Sequence, residues 1–369
     1  MKQTKRQILI DGREFASGKT TGIGRFLSGL IVALAFVDDL EIVVAVSANE
    51  EIPSMIKNRE NIHTEIVGHG FVGSEKKLSH LTASSFCLFI SPYPKLPLFG
   101  VFCPAIHTVH DVHDLTHLLY KKRLRVFFDK YRLKSALGKA TLTWYDSNWS
   151  MQETKSLVGF VGQNPRIRFP AIGEQFNIYG DENGSAESES LESLNLKPGY
   201  ILVTGNGMPH KNLGLLLSIS SSLSREFLFV GVSKDNQLYW MNQYPHARAR
   251  WINYLDEKAL PHVIRNAFCL ALPSTAEGYG YPPLEAMACG VPVAVSNIPV
   301  LVETTGGNAM ISDPEEPQEW IEAFNALENK EISAGQIEKG LIWTEPLRGR
   351  HGWNKHIDDI QELIKGQLL

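Results

Sequence analysis

The chain has 369 residues, a formal net charge of −4, and 43% hydrophobic, 21% charged and 9% aromatic residues. That composition excludes a disordered or fibrous protein, and the length fits two domains of ~100–200 residues each. Apolar runs such as 26–37 are short and the stretch 92–104 is broken by proline, well below the ~20 apolar residues of a membrane span, which excludes a transmembrane role.

Read in chain order, Met1-Lys-Gln-Thr-Lys-Arg leads straight into an apolar strand over 7–11. No apolar leader with a small-residue cleavage site precedes it, so the chain is expected to stay in the cytoplasm. A helical pattern over 25–37, a strand over 42–46 and a buried strand over 100–110 follow. A helix at ~121–138, a strand over 141–145 and a helix capped by Ser147 and Asn148 complete the first half. An acidic stretch, Asp181-Glu-Asn-Gly-Ser-Ala-Glu-Ser-Glu-Ser-Leu-Glu192, reads as the core of a linker over 173–197. A second alternation then predicts strands at 200–204, 226–230, 269–272 and 291–296, and helices at 213–223, 256–267 and 283–288. The expected organisation is an N-terminal α/β domain over 1–172, the linker, a C-terminal α/β domain over 198–348, and a terminal helix over 349–369 packing back on the first domain. Both sheets are expected to be parallel, with the domains facing a cleft.

Charge is divided unevenly. Residues 1–172 carry 22 Lys and Arg against 15 Asp and Glu, and the remainder 14 against 25. The first half is therefore expected to face something anionic, the plainer alternative being a solvated basic face. No zinc finger, RNA-binding signature or basic region with heptads appears, so no nucleic-acid partner is expected. Cys87, Cys103, Cys269 and Cys289 are far apart and form no C-x-x-C, so they read as small core residues.

Several segments bear on chemistry. Gly18-Lys19-Thr20 resembles the end of a P-loop, but the required earlier glycine is Arg13; Gly22-x-Gly24 has Leu27 where a dinucleotide fingerprint needs a third glycine. What survives is a loop, Thr20-Thr21-Gly22-Ile23-Gly24-Arg25, whose bare N–H groups at a helix start are expected to meet a phosphate, or whose glycines serve a tight turn. Four histidines, His107, His110, His113 and His117, lie within eleven residues. Their spacing admits a metal cluster, yet no partner ligand group occurs elsewhere, and His110-Asp111 at the carboxyl end of a parallel strand is better placed for polar chemistry. The most informative stretch is Pro273-Ser-Thr-Ala-Glu277-Gly-Tyr-Gly-Tyr-Pro-Pro-Leu-Glu285-Ala-Met-Ala-Cys-Gly290-Val-Pro-Val. Here one carboxylate stands before a helix start marked by Pro282 and Pro283 and another stands inside the helix.

These residues resemble the E-x7-E motif of the retaining glycosyltransferases of family 4. The order IDGREFASGKTTGIGRF, TVHD, ILVTGNGMPHKNLGLLL, FVGVSK, INYLDEKAL and the terminal GW…IDDIQELI extends the likeness over almost the whole chain. The resemblance implies the GT-B fold and a retaining, metal-independent hexosyltransferase using a nucleotide diphosphate sugar and no other cofactor. GDP-mannose is the favoured donor, because the GIGRF and HD forms look like those of bacterial O-antigen mannosyltransferases, with UDP-hexoses next. It implies that Glu285 binds the donor ribose, that Glu277 stands beside the transferred sugar, that Gly278, Tyr279, Gly280 and Tyr281 hold sugar and diphosphate, and that Lys211 neutralises the diphosphate. His110 and Asp111 would orient sugar or acceptor. The family's second cation before the lysine is missing, since Gly205-Asn206-Gly207 and His210 stand there, and Arg25 is the substitute considered, with Gly22 and Gly24 beside it. The implied acceptor is a glycan or a lipid-linked glycan of surface polysaccharide synthesis. A catalytically silent sugar-nucleotide-binding partner protein, and a phosphorylase or epimerase on the same fold, are the alternatives. Between Lys121 and Lys139 eight basic residues stand against the single acid Asp129, interleaved with Leu124, Val126, Phe127, Phe128 and Leu133, which predicts docking on an anionic membrane surface, the alternative being a core-packed helix with a solvated outer face.

Overall fold

A computed structural model describes residues 6–17, 21–48, 52–57, 59–116, 123–180 and 191–366. The chain divides into two compact units, residues 1–171 with 350–369, and residues 172–349. Of the expected linker, 173–180 and 191–197 fall in the second unit, where Phe176, Leu191 and Leu196 are buried; 181–190 lie outside the described residues.

Unit 1 is built on a parallel sheet of β1 (Arg6–Asp11), β2 (Leu40–Val46), β3 (Ile62–Ile66), β4 (Leu88–Ser91), β5 (Ala105–Val109), β6 (Leu142–Tyr145) and β7 (Pro165–Ile167), in the order β3-β2-β1-β4-β5-β6-β7. Strands β4, β5 and β6 are buried on both faces, as a sheet covered by helices on both sides requires. Helix Gly22–Leu34 places Phe26, Leu27, Leu30, Ile31 and Leu34 against β1 and β2. The terminal helix Asn354–Ile364 belongs to the same core through Ile357, Ile360 and Leu363. Trp353 lies so close to Gly29 that a Cβ there would come within 2.7 Å of its ring. Buried Asp359 accepts from Trp144 Nε1 at 2.8 Å and Arg168 Nε at 2.7 Å, and pairs with Arg166, so the terminal helix is tied to β6 and to the chain around β7.

Unit 2 carries β8 (Ile201–Thr204), β9 (Phe227–Val230), β10 (Ala249–Ile252), β11 (Cys269–Leu272), β12 (Val293–Ser296) and β13 (Met310–Ser312), again all parallel, in the order β10-β9-β8-β11-β12-β13. Two parallel sheets with helices are what the alternating pattern predicted. Each sheet grows outward in one direction from its first strand and then returns to that strand's other side. The reversal falls between β1 and β4 in unit 1 and between β8 and β11 in unit 2, and a crevice opens there beyond the carboxyl ends of the strands.

Several elements differ from the sequence reading. The strand expected over 100–110 is confined to Ala105–Val109, because Gly100 is left-handed (φ +108°) and Pro104 has no N–H to give a ladder. The helix expected over 213–223 stops at Ile219, and Ser220 turns its hydroxyl back to Leu217 O. The helix expected over 256–267 is Leu260–Arg265, with Pro261 in its first turn. Helix Phe71–Thr82 was not foreseen: beside Leu78 it buries the polar Ser74, Glu75, Ser79 and Thr82, so its inward face carries little apolar periodicity. All four cysteines are free; Cys269 and Cys289 are buried, and Cys87 and Cys103 half-buried.

Candidate functional site

In unit 2 the loops after β8 and β11 meet at the reversal point. Gly205 follows β8 at φ +152°, and Lys211 folds its aliphatic stem over it, 3.4 Å from where a Cβ would stand. Lys211 Nζ then reaches Glu277 Oε1 in the β11 loop at 2.6 Å. The two loops are joined a second time by Thr275 N–H donating to His210 O at 2.8 Å. Both charged side chains remain partly accessible, Lys211 at 17% and Glu277 at 12%.

The β11 loop ends at Gly280, which caps helix Tyr281–Ala288 in the left-handed region at φ +92°. A Cβ there would meet Leu301 at 2.7 Å, so both conformation and space call for glycine. Pro282 and Pro283 occupy the first turn, where a helix has no use for their missing N–H groups. Tyr279 is buried edge-on to Tyr281, with ring centroids 5.1 Å apart, and Gly278 lies on the half-buried turn before them. Glu285 comes one turn into the helix and is 2% exposed. The structure therefore gathers Lys211, Glu277, Gly278, Tyr279, Gly280, Tyr281 and Glu285 at one end of the unit 2 sheet. A partly open carboxylate, a cation, a helix N-terminus and a buried carboxylate in this arrangement suit a ligand carrying both phosphate and hydroxyl groups.

The remaining expected residues lie in unit 1. The glycine loop departs from its reading. Thr21 is the N-cap of helix Gly22–Leu34: its Oγ1 accepts from Gly24 N at 2.9 Å and its carbonyl from Arg25 N at 2.9 Å. Two of the N–H groups expected to be bare are thus consumed by the cap. Neither Gly22 nor Gly24 has a positive φ; Gly24 is small because Thr21 Oγ1 lies 3.3 Å from its would-be Cβ. Gly18, Lys19 and Thr20 lie outside the described residues.

The reversal point of unit 1 is filled by its own charges. Asp11, at the end of β1, takes Arg13 in a fork of 2.9 and 2.7 Å. Arg13 reaches on to Glu75 Oε1 at 3.0 Å, and buried Arg132 meets Glu75 Oε2 at 2.9 Å. Leu98 N donates to that same oxygen at 2.7 Å. Burial works against the Arg13 charge, but Asp11 and Glu75 outweigh it and raise its pKa above the ordinary guanidinium value. Glu14 is occupied by Thr21 Oγ1 at 2.6 Å and Tyr93 OH at 3.0 Å.

His110 and Asp111, read as a pair from adjacency, take different hydrogen-bond partners. Asp111 Oδ1 accepts from His113 N at 3.0 Å, an Asx turn at the start of helix His113–Thr116. The carboxylate on His110 is that of Asp146, 2.6 Å from Nδ1, which the sequence reading missed. Its one signal was position, as the residue following β6. Among the described residues no three His, Cys, Asp or Glu side chains form a group that holds a metal ion. His107 bonds Thr143 Oγ1 from inside the sheet at 2.9 Å, and His117 lies outside the described residues.

Residues 186–340 match the family model of the glycosyl transferases group 1. The chain is 27% identical over 326 residues to O-antigen chain mannosyltransferase B of Escherichia coli, covering 80% of this chain and 83% of that protein. It is 28% identical over 157 residues to O-antigen chain mannosyltransferase RfbU of Salmonella typhimurium, covering 41% and 43%. Among solved structures, sucrose-phosphate synthase of Thermosynechococcus elongatus superposes with a TM-score of 0.77 at 15% identity over 98% of this chain and 99% of that one. Anabaena Alr3699/HepE in complex with UDP-glucose superposes with a TM-score of 0.75 at 16% identity over 97% and 99%. The fold is GT-B, and the family match together with the mannosyltransferase relatives makes the protein a glycosyltransferase.

Proposed function

We propose that the protein is a retaining hexosyltransferase that moves mannose from GDP-mannose to a glycan or lipid-linked acceptor, without a metal ion. The observation that carries this reading is the junction of Lys211 and Glu277 across the unit 2 reversal point, at 2.6 Å, beside buried Glu285 and the Gly280-capped helix. Lys211 and the helix start bear on the diphosphate, where negative charge grows as the anomeric bond breaks. Glu285 takes the ribose hydroxyls and Glu277 the transferred sugar, and the backbone from Gly278 to Tyr281 lies along both. In the transfer the acceptor oxygen bonds to the anomeric carbon, the bond to the diphosphate breaks, and the acceptor's proton passes to the leaving diphosphate oxygen. The mannosyltransferase relatives support mannose as the sugar, and GDP is the nucleotide favoured with it. With its donor glutamates and lysine in place, the site fits turnover better than silent binding.

The deciding experiment is release of nucleoside diphosphate that depends on acceptor, preceded by a thermal-shift panel of GDP, UDP and ADP. The matching nucleotide at ~100 times its dissociation constant adds ~2.7 kcal/mol, a rise of several degrees in Tm. Equal shifts for all three nucleotides overturn the donor assignment, and a strict magnesium or manganese requirement overturns the metal-free reaction.

This reading extends to a cytoplasmic protein docked on an anionic membrane that carries the acceptor. The outer face of helix Arg123–Lys139 supports it: Leu124, Phe127, Phe128 and Tyr131, at helical spacing, are exposed by 86, 74, 40 and 64%, with Arg125 and Lys134 exposed beside them. Val126 and Leu133 face the core, and Arg132 is not a surface cation, because it is buried on Glu75. Lys121 and Lys122 lie outside the described residues. Such an apolar stripe between cations fits insertion at the headgroup level. Co-sedimentation with anionic vesicles is expected to fall with added salt and on changing Phe127 and Tyr131 to Ser; equal binding to neutral vesicles, or none to anionic ones, overturns it.

A further inference from the structure

The arginine expected shortly before Lys211 is missing, and Asn206 stands in that stretch with a glycine on each side. The neighbouring strand and helix arrange the backbone there. Gly205 N donates to Val230 O at 2.9 Å, and Gly205 O lies 3.2 Å from where a Cβ on Gly231 would stand. Helix Lys234–Gln243, which follows β9, takes the next two carbonyls: Asn236 Nδ2 donates to Asn206 O at 2.9 Å, and Trp240 Nε1 to Gly207 O at 3.3 Å. Three successive carbonyls are therefore drawn to the β9 side.

A trans peptide points its C=O and the N–H that follows in opposite directions, and no cis bond occurs among the described residues. The N–H groups of Asn206, Gly207 and Met208 thus point away from β9 and its helix. Since β11 lies on the other side of β8 from β9, that direction is the reversal point. The Met208 N–H turns back on Asn206 Oδ1 at 3.1 Å. Those of Asn206 and Gly207 have no hydrogen-bond partner among the described residues. Gly207 is buried, and a buried N–H without a partner is a rarity that calls for water or a ligand. Its conformation is fixed: φ is +75°, and a Cβ would come within 2.8 Å of Val232 and 3.2 Å of Asn236. Beside the pair stands Lys211, whose charge is already shared with Glu277 at 2.6 Å. Two adjacent N–H groups aimed the same way from a fixed turn form an anion-binding nest.

We propose that the backbone N–H groups of Asn206 and Gly207 hold a diphosphate oxygen of the donor in place of the missing arginine, and that Asn236 and Trp240 are positioning residues that keep them aimed. The nest supplies from rigid backbone the donors that an arginine would supply from a mobile side chain. It rests on the reading of unit 2 as the donor site, and the test separates the two.

Amide NMR of the full chain, titrated with GDP, UDP and inorganic pyrophosphate, reads the nest directly. The Asn206 and Gly207 amide protons are expected to move downfield with pyrophosphate and with the nucleoside diphosphate that binds. Amides that move with UDP and not with GDP sink the GDP donor and keep the nest. Amides that stay in place while nucleotide saturates the protein overturn the proposal. Calorimetry then tests the positioning residues. Asn236→Leu and Trp240→Phe each remove the donor to one loop carbonyl. Asn236→Leu is expected to weaken nucleoside diphosphate and pyrophosphate by the same factor, about tenfold, as for one lost hydrogen bond to a charged group. Trp240→Phe, whose bond is longer, should weaken both by less. The matching nucleoside, with base and ribose but no phosphate, should bind both variants as it binds the wild type, a split that lost folding does not produce. Equal losses for nucleoside and diphosphate, or an unchanged diphosphate affinity in Asn236→Leu, overturn the proposal.

Discussion

Two crevices of the same topological origin are used in opposite ways. At the unit 1 reversal point the chain's own charges fill the space: Asp11, Arg13, Glu75 and Arg132 satisfy one another, with Glu75 and Arg132 at 1% and 7% exposure. At the unit 2 reversal point the ion pair of Lys211 with Glu277, 17% and 12% exposed, stands over glycine backbone. The two reversal points carry different arrangements of charge, so strand order gives a place for chemistry without assigning its use.

Acid should separate the two units most. His107 and His356 are wholly buried in unit 1 and held neutral, each with its pKa pushed down to about 3. Unfolding frees them to bind protons below about pH 6.5. Their contribution is complete above that pH and is lost toward pH 3, at about 1.4 kcal/mol per pH unit for each histidine. His110 has the opposite sign: its contribution is complete below pH 6.5 and is lost as pH rises through its raised value, so it does not offset the acid loss. Unit 1 should therefore lose about 5 kcal/mol between pH 6.5 and 4.5 beyond the carboxylate effects shared with unit 2. Hydrogen exchange resolved by segment checks this, and equal acid lability of the two units breaks the contrast.

Next in size is the brace itself. Arg132→Met leaves Glu75 buried with one guanidinium fewer and is expected to cost about 3–5 kcal/mol, seen as a lower Tm of unit 1 with nucleotide affinity unchanged. In unit 2 the expected losses are smaller and functional. Glu285→Ala removes charge-assisted hydrogen bonds of about 1.5–3 kcal/mol and should weaken nucleotide binding about tenfold or more by calorimetry. Glu277→Gln should spare that binding and depress turnover. Lys211→Ala should reduce both, since the diphosphate is charged before and during transfer. Near-normal kinetics in all three would move the site elsewhere.

The alternating pattern, the Ser147 cap, Gly280 with its following prolines, and the E-x7-E spacing were all legible in the chain. Each is decided by neighbours in sequence: side-chain periodicity, a cap three residues from its donor, a left-handed turn. They placed Glu277, Gly280 and Glu285 together, because the three share one loop and helix. Polar burial hid what the pattern could not carry. Helix Phe71–Thr82 reads as unpatterned because Glu75 faces the core, and Glu75 is tolerable there only because Arg13 and Arg132 arrive from elsewhere.

What the tertiary structure alone decided are the pairings across strand ends: Lys211 with Glu277 over 66 residues and His110 with Asp146 over 36. It also decided which face of helix Arg123–Lys139 turns outward, exposing Phe127 and Tyr131 while burying Arg132. The physical reason is the same in each case. Propensity, capping and turn chemistry act between residues a few positions apart, whereas a contact between distant residues depends on which strands become neighbours. That order is set by the summed packing of the whole sheet, and no local pattern records it.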